Sequence, residues 1–260
     1  MTTSRENISL DDPGVVPTRY WHKLEDGRIQ CDLCPRYCHL KEGQRGLCFV
    51  RGCEGNAVVL HSYGRSSGFC IDPIEKKPLY HFLPGGSILS IGSFGCNLTC
   101  DFCQNCHISQ IDGKTLSRHS YREPHDITGK ALLHKNNIGL AYTYNEPVMY
   151  FEYMLKCASR IKEHELNNVM VTNGFMSGEA LEMIAPWMDG ANVDLKAFTD
   201  EFYRKLTFAS IEPVLDTLIW LKTETEVWFE ITTLLPRRAL DIITLAGQRY
   251  DQLIWRGLFI

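Results

Sequence analysis

From Ser87 onward, short apolar runs alternate with amphipathic stretches, whereas the residues before it show no such rhythm. Residues 88–93, 138–143, 169–172, 191–195 and 227–232 read as buried strands, each a short run rich in apolar side chains. Residues 147–164, 177–186 and 211–223 read as helices between them. Pro147 suits a first helical turn, and Ser177 followed by Gly178 suits a cap. In the last helix Leu215, Leu218, Ile219 and Lys222 recur at spacings of three and four. Strand–helix alternation predicts parallel strands joined by helical crossovers, an α/β fold of the partial (βα) TIM-type barrel kind. In such a fold the active site collects at the C-terminal ends of the strands. Residues 1–86 are rich in Gly, Pro and Cys, and read as a small segment held by ligands rather than by a broad apolar core. The chain is therefore expected to divide into a Cys-rich segment (1–86), a barrel core (87–235) and an atypical tail (236–260).

Composition adds limits. The chain has 260 residues, 44% hydrophobic and 22% charged, which is ordinary for a globular protein with a sizeable core. Its formal net charge of −4 gives no general affinity for nucleic acid or anionic membranes. The N-terminus is polar and of mixed charge, and no apolar run reaches spanning length, so a cytoplasmic location is expected. There, closely spaced cysteines point to metal or redox chemistry rather than to disulfides. The 11 cysteines are an odd number, and all but Cys157 lie between Cys31 and Cys106.

Directly after the first strand stand Cys96, Cys100 and Cys103, spaced Cys-x3-Cys-x2-Cys. Three thiolates on one loop can hold three corners of a [4Fe–4S] cluster and leave the fourth iron open, as a catalytic cluster needs. The competing reading is a zinc knuckle with Cys106 or His107 as fourth ligand. This spacing, with Phe102 just before the last cysteine, resembles the signature of the radical SAM superfamily. The resemblance implies that S-adenosylmethionine chelates the open iron through its amino and carboxylate groups. An electron from the cluster then releases a 5′-deoxyadenosyl radical.

Further motifs extend the resemblance at the later strand ends. Tyr144-Asn145-Glu146-Pro147 is similar to a Gly-Gly-Glu-Pro motif, with Tyr144 and Asn145 in place of the glycines. The resemblance makes Glu146 the partner of the methionyl ammonium; by its residues alone, Glu146 equally suits a cap for the helix beginning at Pro147. Thr172-Asn173-Gly174 resembles the third-strand motif of glycyl-radical activating enzymes, beside the methionine moiety, and Asn-Gly is also a turn signal. Asp194-Leu195-Lys196 matches a fourth-strand motif of the same enzymes. Period-two alternation puts Asp194 and Lys196 on one side, to form an internal ion pair or to contact SAM. Phe102, Asn145, Glu146, Thr172, Asn173, Asp194 and Lys196 are thus the implied cofactor-binding set.

The words Asp72–Gly85, Cys103-Gln104-Asn105, Tyr142–Pro147, Cys31–Cys38 and Gly43–Cys48 narrow the likeness. Together they resemble the radical SAM enzyme of the AmmeMemoRadiSam system, a relative of pyruvate formate-lyase activating enzyme. This implies an activase-like oxidoreductase with an external electron donor and a protein substrate or Memo-like and AMMECR-like partners. Cys106 stands where that family has an aromatic residue and is read as a non-ligand. Cys31, Cys34, Cys38 and Cys48 form a second ligand set, for structural zinc or an auxiliary [4Fe–4S] cluster. Cys53 and Cys70 fit neither set, and no histidine is assigned. Past Leu235 and Pro236 the likeness stops, which suggests a truncated or frame-shifted end and a barrel that stops near its fifth strand. A competing reading is a catalytically degenerate iron–sulfur or zinc protein that docks a partner.

Overall fold

Six strands form one open sheet in the computed structural model, which describes residues 12–111 and 113–233. They are β1 (Gly68–Pro73), β2 (Ser87–Gly92), β3 (Asn137–Tyr142), β4 (Asn167–Thr172), β5 (Gly190–Asp194) and β6 (Trp228–Thr232). Their spatial order equals their sequence order. β2 to β6 pair in parallel, and β1 lies antiparallel on the outer side of β2. This is the expected partial barrel. The tail expected over 236–260 lies outside the described residues.

Four helices make the crossovers: α1 (Pro124–Leu133), α2 (Phe151–Glu163), α3 (Gly178–Ile184) and α4 (Glu212–Glu224). α1 was not anticipated from the sequence. It starts with Pro124 in the first turn and a capping box between Glu123 and Asp126. α2 buries Phe151, Met154, Ala158 and Ile161, a stripe at helical spacing that also takes in the lone Cys157. The short helical turn Pro147–Tyr150 precedes it. Ser177 caps α3 through the Ala180 amide.

α4 buries Val214, Thr217, Leu218 and Leu221, while Ile219 is exposed. The Thr217 hydroxyl donates to the Gly174 carbonyl at 2.7 Å, and this tie to the loop after β4 fixes which face turns inward.

The N-terminal residues build two small antiparallel sheets. One joins Val16–Pro17, Ala57–Leu60 and Arg51–Glu54; the other joins Trp21–Lys23, Ile29–Cys31 and His39–Leu40. Their apolar residues, including Ile29, Leu33, Val50, Val58 and Leu60, merge with the core under the large sheet. Ser177 of the β4–α3 loop reinforces this junction, donating both its amide and its hydroxyl to the Leu33 carbonyl at 3.1 Å.

The connection from β1 to β2 also has a role. Residues 74–86 run across the later strands: Asn192 of β5 donates to the Pro78 carbonyl at 2.9 Å. Glu230 of β6 accepts the Tyr80 and His81 amides at 2.8 Å. This strap ties the first strands to the last ones.

Candidate active site

The loops leaving β2, β3, β4 and β5 meet at one end of the sheet, where a parallel α/β fold places its chemistry. Cys96, Cys100 and Cys103 occupy the loop after β2 and are all partly buried. Cys96 Sγ accepts the Leu98 amide at 3.4 Å and Asn173 Nδ2 at 3.7 Å. Burial, then the nearby Glu146 carboxyl, pushes the Cys96 thiol up. Burial also raises Cys100, against the pull of the Lys196 cation.

Glu146 follows β3 and is 1% exposed. Its carboxylate accepts the Val148 amide (3.1 Å), the Thr172 hydroxyl (2.8 Å) and the Asn173 amide (2.8 Å). It therefore does cap the Pro147 turn, and it also binds the end of β4. A carboxylate offers about four acceptor positions, so one remains for a further donor. Burial pushes the carboxyl up to about 7 despite those three hydrogen bonds.

Asn173 links the two groups. Its amide holds Glu146, while its side chain donates to Cys96 Sγ and to Asn97 Oδ1 at 2.8 Å. Asn145 does similar work one strand earlier, accepting the Ser93 amide at 3.2 Å and donating to the Gly95 carbonyl at 2.8 Å. Asp194 and Lys196 form the anticipated ion pair at the end of β5, and the lysine charge lies near Cys96 and Cys100. Phe102 packs obliquely on Phe202, with ring centroids 6.1 Å apart. Cys106 is exposed at the start of a one-turn helix, and Cys70 is exposed on β1.

Two residues of this region escaped sequence reasoning. Lys77, 2% exposed, donates to Asp72 Oδ2 at 2.7 Å, and the Tyr144 hydroxyl donates to the same oxygen at 3.0 Å. Burial alone would raise the Asp72 carboxyl, but Lys77 and Tyr144 outweigh it and hold it well below the usual carboxylate range. The Lys77 ammonium also lies 4.7 Å over the Tyr144 ring. Both acidic and basic partners lay within the quoted Asp72–Gly85 word, but their pairing is set by three-dimensional contact. Tyr144 has φ +74°, the left-handed region that favours glycine. The backbone at this site thus keeps a glycine-like conformation although a tyrosine occupies it. The Asn105 side chain fixes that conformation by donating to the Tyr144 carbonyl at 2.5 Å.

The second cysteine set also comes together. Cys31, Cys34, Cys38 and Cys48 line one cavity beneath the cluster loop. Among the described residues, no three His, Cys, Asp or Glu side chains close on a point as the ligands of a single ion do. No described helix is long and apolar enough to cross a membrane.

Residues 90–239 match the sequence profile of the Radical SAM superfamily, more than half of the chain, and the chain belongs to that superfamily. Members are enzymes, and membership implies a [4Fe–4S] cluster and S-adenosylmethionine. The donor set fits such a cluster: three thiols on one loop, amide hydrogen bonds to a sulfur, and a lysine cation close by.

The chain is 38% identical over 218 residues to the uncharacterized protein MJ0808 of Methanocaldococcus jannaschii, covering 83% of this chain and 63% of that protein. It therefore spans less than two thirds of that relative's length. QueE from Escherichia coli is a similar structure at 11% identity, covering 75% of this chain and 92% of that one, with a TM-score of 0.47. SuiB of Streptococcus suis bound to precursor peptide SuiA is 14% identical over 59% of this chain and 34% of that one, with a TM-score of 0.45.

Proposed function

We propose that the chain cleaves S-adenosylmethionine reductively at a [4Fe–4S] cluster held by Cys96, Cys100 and Cys103, as an activase-like enzyme of the AmmeMemoRadiSam kind. When bound, the cluster supplies the electron that breaks the sulfonium bond and releases a 5′-deoxyadenosyl radical. Glu146 uses its remaining acceptor position for the methionyl ammonium, and the opposite charge offsets the burial that raises its carboxyl. Thr172 and Asn173 hold Glu146 in place, and Asn173 also orients the cluster loop through Cys96 and Asn97. Asn145 pins that loop from the β3 side. Lys196, oriented by Asp194, supplies positive charge beside the thiolates. Phe102 walls the loop. A low-potential external donor delivers the electron, and the radical acts on a protein substrate or on a Memo-like or AMMECR-like partner.

The observation that carries this reading is Asn173, a single residue hydrogen-bonded to the Glu146 carboxylate and to the Cys96 sulfur. The test is anaerobic reconstitution with iron and sulfide, followed by dithionite and S-adenosylmethionine, with 5′-deoxyadenosine measured by chromatography. Wild type releases it and Cys100→Ala does not. Glu146→Gln weakens SAM binding roughly 10- to 100-fold, the loss of one charged hydrogen bond. A fully iron-loaded wild type that releases no 5′-deoxyadenosine would overturn the assignment in favour of a docking protein.

A further inference from the structure

We propose that Tyr144 is a positioning residue of the S-adenosylmethionine site. Its clamped side chain holds a left-handed backbone that sets Asn145 against the cluster loop and Glu146 against the end of β4. The role rests on the proposed pairing of Glu146 with the methionyl ammonium.

Tyr144 has φ +74°. A β-carbon lowers the population of that region by roughly tenfold, whereas glycine enters it freely. Three contacts of the side chain offset this penalty. The hydroxyl donates to Asp72 Oδ2 at 3.0 Å, and Lys77, which donates to the same oxygen, lies 4.7 Å over the ring. The ring edge also lies on Gly92 at the end of β2, where a β-carbon would come 2.8 Å from Tyr144 Cδ2. Burial, with the Asp72 carboxylate beside it, pushes the hydroxyl up to about 12, so it stays a donor at ordinary pH.

The main chain is held separately. Asn105, just past Cys103, donates to the Tyr144 carbonyl at 2.5 Å, and the Thr143 amide donates to the Ile91 carbonyl at 3.0 Å. Rotating Tyr144 into an ordinary conformation would redirect the chain before Asn145. That would draw the Asn145 side chain off the Ser93 amide and the Gly95 carbonyl, and Glu146 off the Asn173 amide. Those bonds join the loops after β2, β3 and β4. A glycine would reach the same φ without strain, but it would sample many others and lose more entropy when the site is organised.

A side chain that only fills space, or only touches a substrate, loses function as atoms are removed, so glycine would be no better than alanine. A clamp on left-handed backbone predicts the reverse order. Alanine keeps the backbone penalty and loses the clamp, whereas glycine loses both together.

The test compares Tyr144→Phe, Tyr144→Gly and Tyr144→Ala in the full chain with two readouts. Alkylation of Cys96 by iodoacetamide is followed by mass spectrometry in the metal-free chain. Affinity for S-adenosylmethionine is measured by equilibrium dialysis after anaerobic reconstitution to wild-type iron content. Tyr144→Ala should speed alkylation and weaken binding by about tenfold each. Tyr144→Gly and Tyr144→Phe should change either readout by only about threefold. Tyr144→Gly as impaired as Tyr144→Ala, or no change in any variant, would overturn the proposal. If Tyr144→Ala does not fold, Tyr144→Asn replaces it, since asparagine enters left-handed backbone at a smaller penalty. It should be more impaired than Tyr144→Gly, and equal impairment would count against the clamp. Loaded wild type that binds no S-adenosylmethionine would overturn the Glu146 pairing, while the alkylation order decides separately whether Tyr144 holds the cluster loop.

Discussion

Cys96, Cys100 and Cys103 lie on one loop at the end of β2, whereas Cys31, Cys34, Cys38 and Cys48 are gathered from a strand, a turn and a loop. The first set is positioned by the topology of the large sheet. Neighbouring strand ends bring Glu146, Asn173 and Lys196 to it. The second set lies among strands of two to four residues, too short to organise a wide apolar face of their own. An open ligand set surrounded by polar groups suits a site that takes a small molecule. The second set is instead walled by leucines and arginines.

The contact at Gly95 tests how far the two regions are independent. Gly95→Ala forces a side chain into left-handed backbone and against the Cys48 carbonyl. A loss of about 2–5 kcal/mol is expected from strain and overpacking together, read from anaerobic urea unfolding. A midpoint equal to wild type would mean that the regions slide freely past each other.

A smaller effect separates the polar site from its apolar neighbour by pH. The Glu146 carboxyl sits at about 7 in the folded chain against 4.5 ordinarily. Across that window the folded chain binds more protons than the unfolded one, so this group lowers stability as pH rises. The expected decline is about 3 kcal/mol in metal-free protein, and Glu146→Gln should abolish that slope. An unchanged slope in the variant would place the titration elsewhere.

The smallest change probes the Asp72 cluster. Tyr144→Phe removes one hydrogen bond to Asp72 but leaves Lys77 in place. A loss of about 1 kcal/mol is expected in thermal unfolding, with iron per chain unaltered. A much larger loss would mean that the hydroxyl, rather than Lys77, holds the buried carboxylate.

The core strands and three of the helices were legible because buried parallel strands are short continuous apolar runs. α1 was not, since Thr128 and Pro124 share its buried face with Ile127 and Ala131 and blur the periodicity. The inward face of α4 was not legible either, because Thr217 is turned inward by its bond to Gly174, a contact between residues far apart in sequence. In the N-terminal segment, two- to four-residue strands are too brief to show alternation. The cysteine spacing marked both groups of thiols, but nothing in it could reveal Lys77 under Tyr144 or Arg36 between the groups.

The antiparallel strand β1 also bears on how the chain assembles. β1 and β2 are joined by residues 74–86 and pair along their whole length, from Gly68 with Gly92 to Pro73 with Ser87. Each later strand pair needs a helical crossover before its first bond can form. Within the large sheet, loop-closure entropy therefore favours this hairpin as the first pairing to form. Its register then serves as the template onto which β3 to β6 are added in turn, carrying Glu146, Asn173 and Lys196 to the cysteine loop one crossover at a time.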